Sequence, residues 1–180
     1  MRGFTLLELI VALAILGAFF GLGIPKLHQF FDRHTSHTNI LTLRNTLSAA
    51  RNLAQTRSEH ITVCPMADVA CTNNWKQPLK VFNDLNLNQT LDEDETLFLT
   101  TYLDHDHGEW HKTKAKQTYV RFNHLGHAFS SASTFLYCPH SNQYQHAKSI
   151  IINFQGRIKI ADYLNSRGTP YARYESILCN

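Results

Sequence analysis

The 180 residues contain no nucleophile elbow, phosphate-binding loop or metalloprotease helix, although Ser, His and Asp are plentiful. These absences argue against the chemistries those motifs support, and the protein is expected to be no enzyme and to need no cofactor. Cysteine is sparse, at four. Beside Cys64 and Cys71 there is no second close pair, as a cysteine zinc site would require, so no metal is expected there. Four cysteines suit two disulfides in an oxidising compartment. No internal repeat or low-complexity run is visible. Lys and Arg are missing altogether from residues 81–111, which hold eight acids, whereas residues 112–180 hold nine bases against two acids. Such segregation points to a polyanionic partner for the last third of the chain, or equally to a solvated surface that happens to be divided by sign.

Charge is also scarce at the start. Residues 4–24 form an apolar run of 21 residues whose one charge is Glu8. As a helix the run is about 30 Å long, the thickness of a bilayer's hydrocarbon core. A cleaved secretory signal has a shorter apolar region with a small-residue cleavage site after it. Here the basic leader Met1-Arg2-Gly3 precedes the run, so the run is expected to be retained. The positive charge at the short end places that end in the cytoplasm and the bulk of the chain outside it.

A carboxylate inside a bilayer is costly and is usually paired or functional, so Glu8 needs a reason. A plain anchor with an incidental Glu is one reading. The other comes from its neighbours. Gly3-Phe4-Thr5-Leu6-Leu7-Glu8-Leu9 resembles the type IV prepilin signature. The resemblance implies that a prepilin peptidase cuts after Gly3 and that the new terminus, Phe4, is methylated. It also implies that Glu8 serves filament assembly by neutralising a terminal ammonium, its own or a neighbouring subunit's.

Beyond Pro25, a residue that bends helices, Leu27, Phe30 and Phe31 are followed by Leu43, Leu47, Ala50 and Ala54 at helical spacing. These form one stripe of an amphipathic helix, expected to pack on the globular part, with Arg33, Arg44, Arg51 and Arg57 on exposed faces. After residue 58 the helical spacing stops. Short β-branched and aromatic runs follow at 61–63, 80–82, 97–103, 118–122, 134–137, 150–154, 157–160 and 175–178. They predict a β-sandwich or strongly curved sheets against the helix. The expected fold is therefore α+β. The expected divisions are a leader over 1–3, a transmembrane helix over 4–28, an amphipathic helix over 29–57 and a periplasmic β domain over 58–180. Four cysteines allow three pairings. The arrangement expected on this layout is Cys64 with Cys71 and Cys138 with Cys179, the longer closure contributing about 3–4 kcal/mol in chain-entropy terms.

Over nearly its whole length the chain resembles one branch of the pilin-like proteins, the FimT/FimU minor pilins and the GspH minor pseudopilins of type II secretion. The residues that carry this are Ile61-Thr62-Val63-Cys64-Pro65 with Cys71 and Trp75, then Val81-Phe82-Asn83-Asp84 leading to Asn86, Asn88, Asp92 and Glu95, and the late Gly156-Arg157 with the final Cys179. The resemblance implies a low-copy subunit in or below a filament. Its partners would be other pilin subunits through the N-terminal helix, the prepilin peptidase and, before assembly, the inner membrane. FimT members act in DNA uptake through a late Gly-Arg-x-Arg motif, and this chain, with Gly156-Arg157-Ile158-Lys159, stands closest to them. Lys in place of the final Arg exchanges a bidentate fork for a point charge, which phosphate tolerates.

The residues themselves support a DNA-binding surface. Gly156 reads as a hairpin turn. Beyond it, Arg157 and Lys159 share one face of a strand about 7 Å apart, with Ile158 and Ile160 on the other. Lys148, Arg167 and Arg173 join them as candidates, the last two interleaved with Tyr163, Tyr171 and Tyr174 in a loop. A polar hairpin face with a tyrosine-bearing loop is the plainer reading.

Two metal sites also come into question. Asp84, Asn86, Asn88, Asp92 and Glu95 have the spacing of a calcium loop, but Gln89 stands where glycine makes the sharp turn, and an acidic turn between strands is the simpler account. Asp104-His105-Asp106-His107-Gly108-Glu109-Trp110-His111 gathers three imidazoles but reads as an exposed loop.

Overall fold

The computed structural model describes residues 5–112, 118–128, 132–140, 146–162 and 179, and within the helix omits the side chains of 22–26, 28, 29 and 32. Gly3, Phe4, Arg167, Arg173 and the run expected at 175–178 lie outside the described residues.

Helix α1 (Leu6–Arg57) is 52 residues long and runs through Pro25 without a break. It begins where extended Thr5 accepts the Glu8 N–H on its hydroxyl at 3.3 Å, one arm of a capping box. It ends at Ser58, whose N–H still reaches the Ala54 carbonyl and whose left-handed φ of 57° turns the Glu59 N–H back to the same carbonyl at 3.3 Å. The first turns present apolar side chains to the outside, with Leu6 and Phe19 each about three-quarters exposed. Among the described residues no helix is long and apolar enough to cross a membrane.

The stripe that packs on the domain is shorter than the sequence predicts. Ile40, Leu43, Leu47, Ala50 and Ala54 are at most 1% exposed, whereas Leu27, Phe30 and Phe31 are all more than half exposed. The helix leaves the domain below Ser36. Three polar residues, Ser36, Asn39 and Thr46, also sit on the packed face, and the last two have a backbone or hydroxyl partner waiting. Asn39 accepts the Asp104 N–H at 3.0 Å, and the Thr46 and Thr101 hydroxyls meet at 2.9 Å.

Eight strands follow among the described residues: β1 (Ile61–Pro65), β2 (Leu79–Asn83), β3 (Leu97–Thr101), β4 (Gly108–Lys112), β5 (Val120–Phe122), β6 (Ser133–Pro139), β7 (Lys148–Ile152) and β8 (Ile158–Asp162). They form two antiparallel four-stranded sheets, in the orders β3-β2-β1-β5 and β4-β6-β7-β8. One core joins them to the helix: Ile61, Val63, Leu79, Val81 and Phe122 from the first sheet and Phe135, Tyr137, Ile150 and Ile152 from the second. The architecture is the expected α+β arrangement of a helix on a two-sheet β domain.

Strand β1 is buried at every position, because it is covered on both faces. Thr62 and Cys64 face away from the helix, under two loops joined by the Ala70–Thr90 bridge. There Cys64, Met66 and Phe82 form a second, smaller core with Cys71, Leu91 and Tyr119. The Cys64–Cys71 disulfide closes the first of these loops, and Cys138–Cys179 ties β6 to the penultimate residue. Both are the expected pairs.

Strand β4 corrects the loop expected at 104–111. Gly108 to Lys112 pair with β6 from Pro139 to Phe135. Glu-Trp-His-Lys has no β-branched residue to announce a strand, and the pairing comes from the long strand beside it. Gly108 is needed there because a Cβ would run into the Tyr137 ring and the Cys138 carbonyl at 2.5–2.6 Å. At the other end Lys112 lies over the Trp75 and Phe135 rings, 5.0 and 5.6 Å from their centroids, and donates to the Tyr119 carbonyl at 3.1 Å. Burial lowers its pKa to about 8.

Candidate nucleic-acid interface

The hairpin between β7 and β8 places Arg157 and Lys159 as the alternation predicts. Ile158 and Ile160 pack against the core, and Arg157 and Lys159 are exposed. No ion pair joins either cation to a carboxylate among the described residues. Among the described residues strand β8 is the last strand of its sheet.

The turn that presents Arg157 is built from Asn153 and Gly156. The Gly156 N–H reaches the Asn153 carbonyl at 2.9 Å, and the Arg157 N–H reaches the Asn153 Oδ1 at 2.8 Å. Gly156 has φ +71°, a conformation other residues adopt only under strain. A second turn, after β5, repeats the design. The Gly126 N–H reaches the Asn123 carbonyl at 2.7 Å, His127 N–H reaches the Asn123 Oδ1 at 2.9 Å, and Gly126 has φ +74°. The two turns lie side by side, with the Ala128 N–H donating to the Phe154 carbonyl at 3.0 Å.

Both turns are held from the helix. Arg51 donates from Nε to the Gly126 carbonyl at 3.0 Å and from Nη2 to the Gln155 carbonyl at 3.4 Å, and Gln55 donates to the Leu125 carbonyl at 3.3 Å. Arg51, expected on an exposed face, is therefore half-buried and committed. The signal that could have found this arrangement is the shared spacing of Asn123-His-Leu-Gly126 and Asn153-Phe-Gln-Gly156, each directly after a run of β-forming residues.

Lys148 does not join Arg157. It starts β7, opposite Asp162 in the register, and its ammonium bonds the Asp162 carboxylate. From there to the hairpin turn is the length of the strand, about 13 Å. Its charge is compensated by a residue that the register, not the sequence spacing, brings beside it. Lys148 instead lines a cavity of about 310 Å³ with Phe30, Arg33, His34 and His37 of the helix.

Neither metal site is assembled: among the described residues no three His, Cys, Asp or Glu side chains are grouped to hold an ion. In the acidic loop Asn86 and Asn88 both donate to Asp92 Oδ2 at 2.8 Å, and Glu95 accepts the Leu85 and Asp92 N–H groups. Asp84 is fully buried and faces the Arg121 guanidinium at 2.5 Å, which would repel a cation. Gln89 nonetheless takes the left-handed conformation, φ 66°, that the calcium loop asks of its glycine. In the histidine segment exposed His107 pairs with Asp104 at 2.8 Å, and half-buried His111 lies 4.0 Å from Glu109. His105 is half-buried, and burial, then the Lys76 charge, lowers its pKa.

Residues 40–156 match the family described as type II transport protein GspH, and residues 1–24 match the prokaryotic N-terminal methylation motif. No curated protein matches the chain. Among solved structures it is similar to the type IV minor pilin FimU of Pseudomonas aeruginosa, strain PAO1, in two crystal forms. Each is 16% identical. One alignment covers 69% of this chain and 91% of that one with a TM-score of 0.55, and the other covers 73% and 92% with 0.56. At that identity the likeness is one of fold.

Proposed function

From a chain that belongs to the GspH family and opens on a prokaryotic N-terminal methylation motif, we propose a minor type IV pilin whose Arg157–Lys159 surface binds DNA without sequence preference during uptake. The observation that carries the DNA reading is the pair of exposed cations where the turn enters β8, Arg157 fixed by the Asn153–Gly156 turn and Lys159 on the strand. The placement nearest the FimT members rests on Gly156-Arg157 alone.

Processing belongs to the same reading. Cleavage after Gly3 frees Phe4 for methylation, residues 4–28 span the inner membrane once with the β domain in the periplasm, and Glu8 meets a terminal ammonium on assembly. Mass spectrometry of membrane-extracted protein should show the loss of Met1-Arg2-Gly3 and the gain of one methyl group. Met1 retained in a host with an active prepilin peptidase would refute this.

An uptake subunit must accept any sequence, so phosphate contacts should dominate. If two to four cations engage a duplex, log K should fall against log salt with a slope of roughly −2 to −4. Replacing Arg157 and Lys159 with Gln should weaken binding to all sequences alike and flatten that slope by about two. Lys148→Gln should do little, since Asp162 already compensates it. A folded double variant with unchanged affinity and slope would leave a purely structural pilin or type II secretion pseudopilin as the better reading.

A further inference from the structure

The cavity beside Lys148 lies where the helix leaves the domain. Phe30, Arg33, His34 and His37 line it from α1 and Lys148 from the start of β7, around about 310 Å³. Among the described residues no carboxylate lines it. Arg33, His34 and His37 are exposed and join no ion pair. The Phe30 and His34 rings stack, with centroids 6.2 Å apart and planes 7° from parallel. Lys148 bonds the Asp162 carboxylate. An ammonium has three donors, so that bond leaves two for another acceptor. The cavity therefore offers an anion two cations and two imidazoles, with an aromatic ring on the side nearest the apolar run.

We infer that this cavity takes the phosphate of an anionic phospholipid in the periplasmic leaflet, seating the domain on the inner membrane before assembly. The inference rests on the reading of residues 4–28 as a membrane span and is independent of DNA binding. At 1.5 Å per residue, Arg33 to His37 stand about 8–14 Å beyond residue 28. A headgroup layer is roughly 5–8 Å thick. Helical side chains lean toward the N-terminus, here toward the membrane, and a long Arg side chain covers the remaining distance. The far end of the domain fixes its orientation. Arg51 and Gln55, about 20 Å further along the helix, hold the Gly126 and Gly156 turns. The Lys148 end is thus the one nearest the bilayer, and Arg157 is presented away from it. An anionic headgroup gains charge-assisted bonds from Arg33 and Lys148. A zwitterionic one brings its own ammonium, which the same two cations repel. A soluble anion gains the charges but has no glycerol and acyl carbons to lay against Phe30.

Alkaline carbonate extraction of membranes carrying the full-length chain comes first. A chain that washes off sinks the membrane-span reading, and this inference with it. The chain is then purified in detergent and titrated with phosphatidylglycerol or phosphatidylcholine, and native mass spectrometry counts the lipid retained. Phosphatidylglycerol should be held about fivefold or more tighter than phosphatidylcholine. Arg33→Gln and Lys148→Gln should each weaken phosphatidylglycerol about fivefold. Arg44→Gln, which removes an exposed cation further up the helix, should leave it within about twofold. Arg33 lies below the packed stripe, so its variant reports on the cavity without disturbing the β domain. If the double Gln variant holds phosphatidylglycerol as the parent does, or if both lipids bind alike, the apolar helix alone holds lipid and the seat is refuted. If excess inorganic phosphate displaces the lipid, the cavity is a soluble-anion site and the inference is equally overturned. A double variant that loses duplex DNA and keeps the lipid would assign the cavity to the DNA surface instead.

Discussion

Replacing Asp84 with alanine should lower the stability of the β domain by about 3–5 kcal/mol. The carboxylate is fully buried, and its Oδ2 takes the Thr62 hydroxyl at 2.8 Å and Arg121 Nη2 at 2.5 Å. Arg121 is nearly as enclosed, with its side chain 11% exposed. It also donates to the Thr62 hydroxyl at 3.0 Å and to the Leu87 carbonyl at 3.2 Å, and it lies over the Tyr119 ring at 4.6 Å. Removing the acid strands a guanidinium that cannot reach water without opening the loop cover of β1. The penalty is that of an uncompensated charge, not the net worth of the pair, and this makes the prediction specific. Asp84→Leu combined with Arg121→Met takes both charges away and should recover most of the loss. Denaturant unfolding of parent, single and double variants decides it. A loss under about 1 kcal/mol for Asp84→Ala, or a double variant no better than the single, would mean that the pair is solvated and does not hold the two loops.

Gly156→Ala should cost about 3 kcal/mol or more, whereas Gly126→Ala should cost only about 1–2 kcal/mol, the penalty for a left-handed residue alone. Both glycines have φ near +70°, so backbone preference does not separate them. Their surroundings do. A Cβ at 126 would meet the end of the Gln55 side chain at 2.8 Å, which can move aside. A Cβ at 156 would fall within the van der Waals envelope of the Gly126 carbonyl oxygen, and that carbonyl is already fixed by Arg51 Nε at 3.0 Å. The alanine must push one turn off the other. The readout is the denaturation midpoint of each variant. Equal losses at the two positions would show that close approach of the turns is not what Gly156 provides.

These two sites also mark where reading the sequence succeeds and where it stops. The packed helix face at Leu43, Leu47, Ala50 and Ala54 is legible because a 3.6-residue period is a local signal. The exposure of Arg157 and Lys159 is legible for the same reason at period two, and Gly156 announces its turn. Asp84, by contrast, carries the spacing of a calcium ligand, and only the β1–β5 pairing brings Arg121 beside it from 37 residues away. Lys148 counts as a free cation until the β7–β8 register puts Asp162 opposite. Strand β4 is invisible in Glu109-Trp110-His111-Lys112 because its partner imposes it. Long-range pairing overrides local preference in all three.

The grip of Arg51 and Gln55 on the two turns sets how the subunit carries load. One turn follows a strand of the first sheet and the other joins two strands of the second; Arg51 bonds both, and Gln55 adds a second bond to the first. Force applied along α1 therefore reaches both sheets at one seam, through bonds arranged in parallel. They share the strain and must fail together, so the domain resists shear as a clasp does and does not peel strand by strand as a zip would.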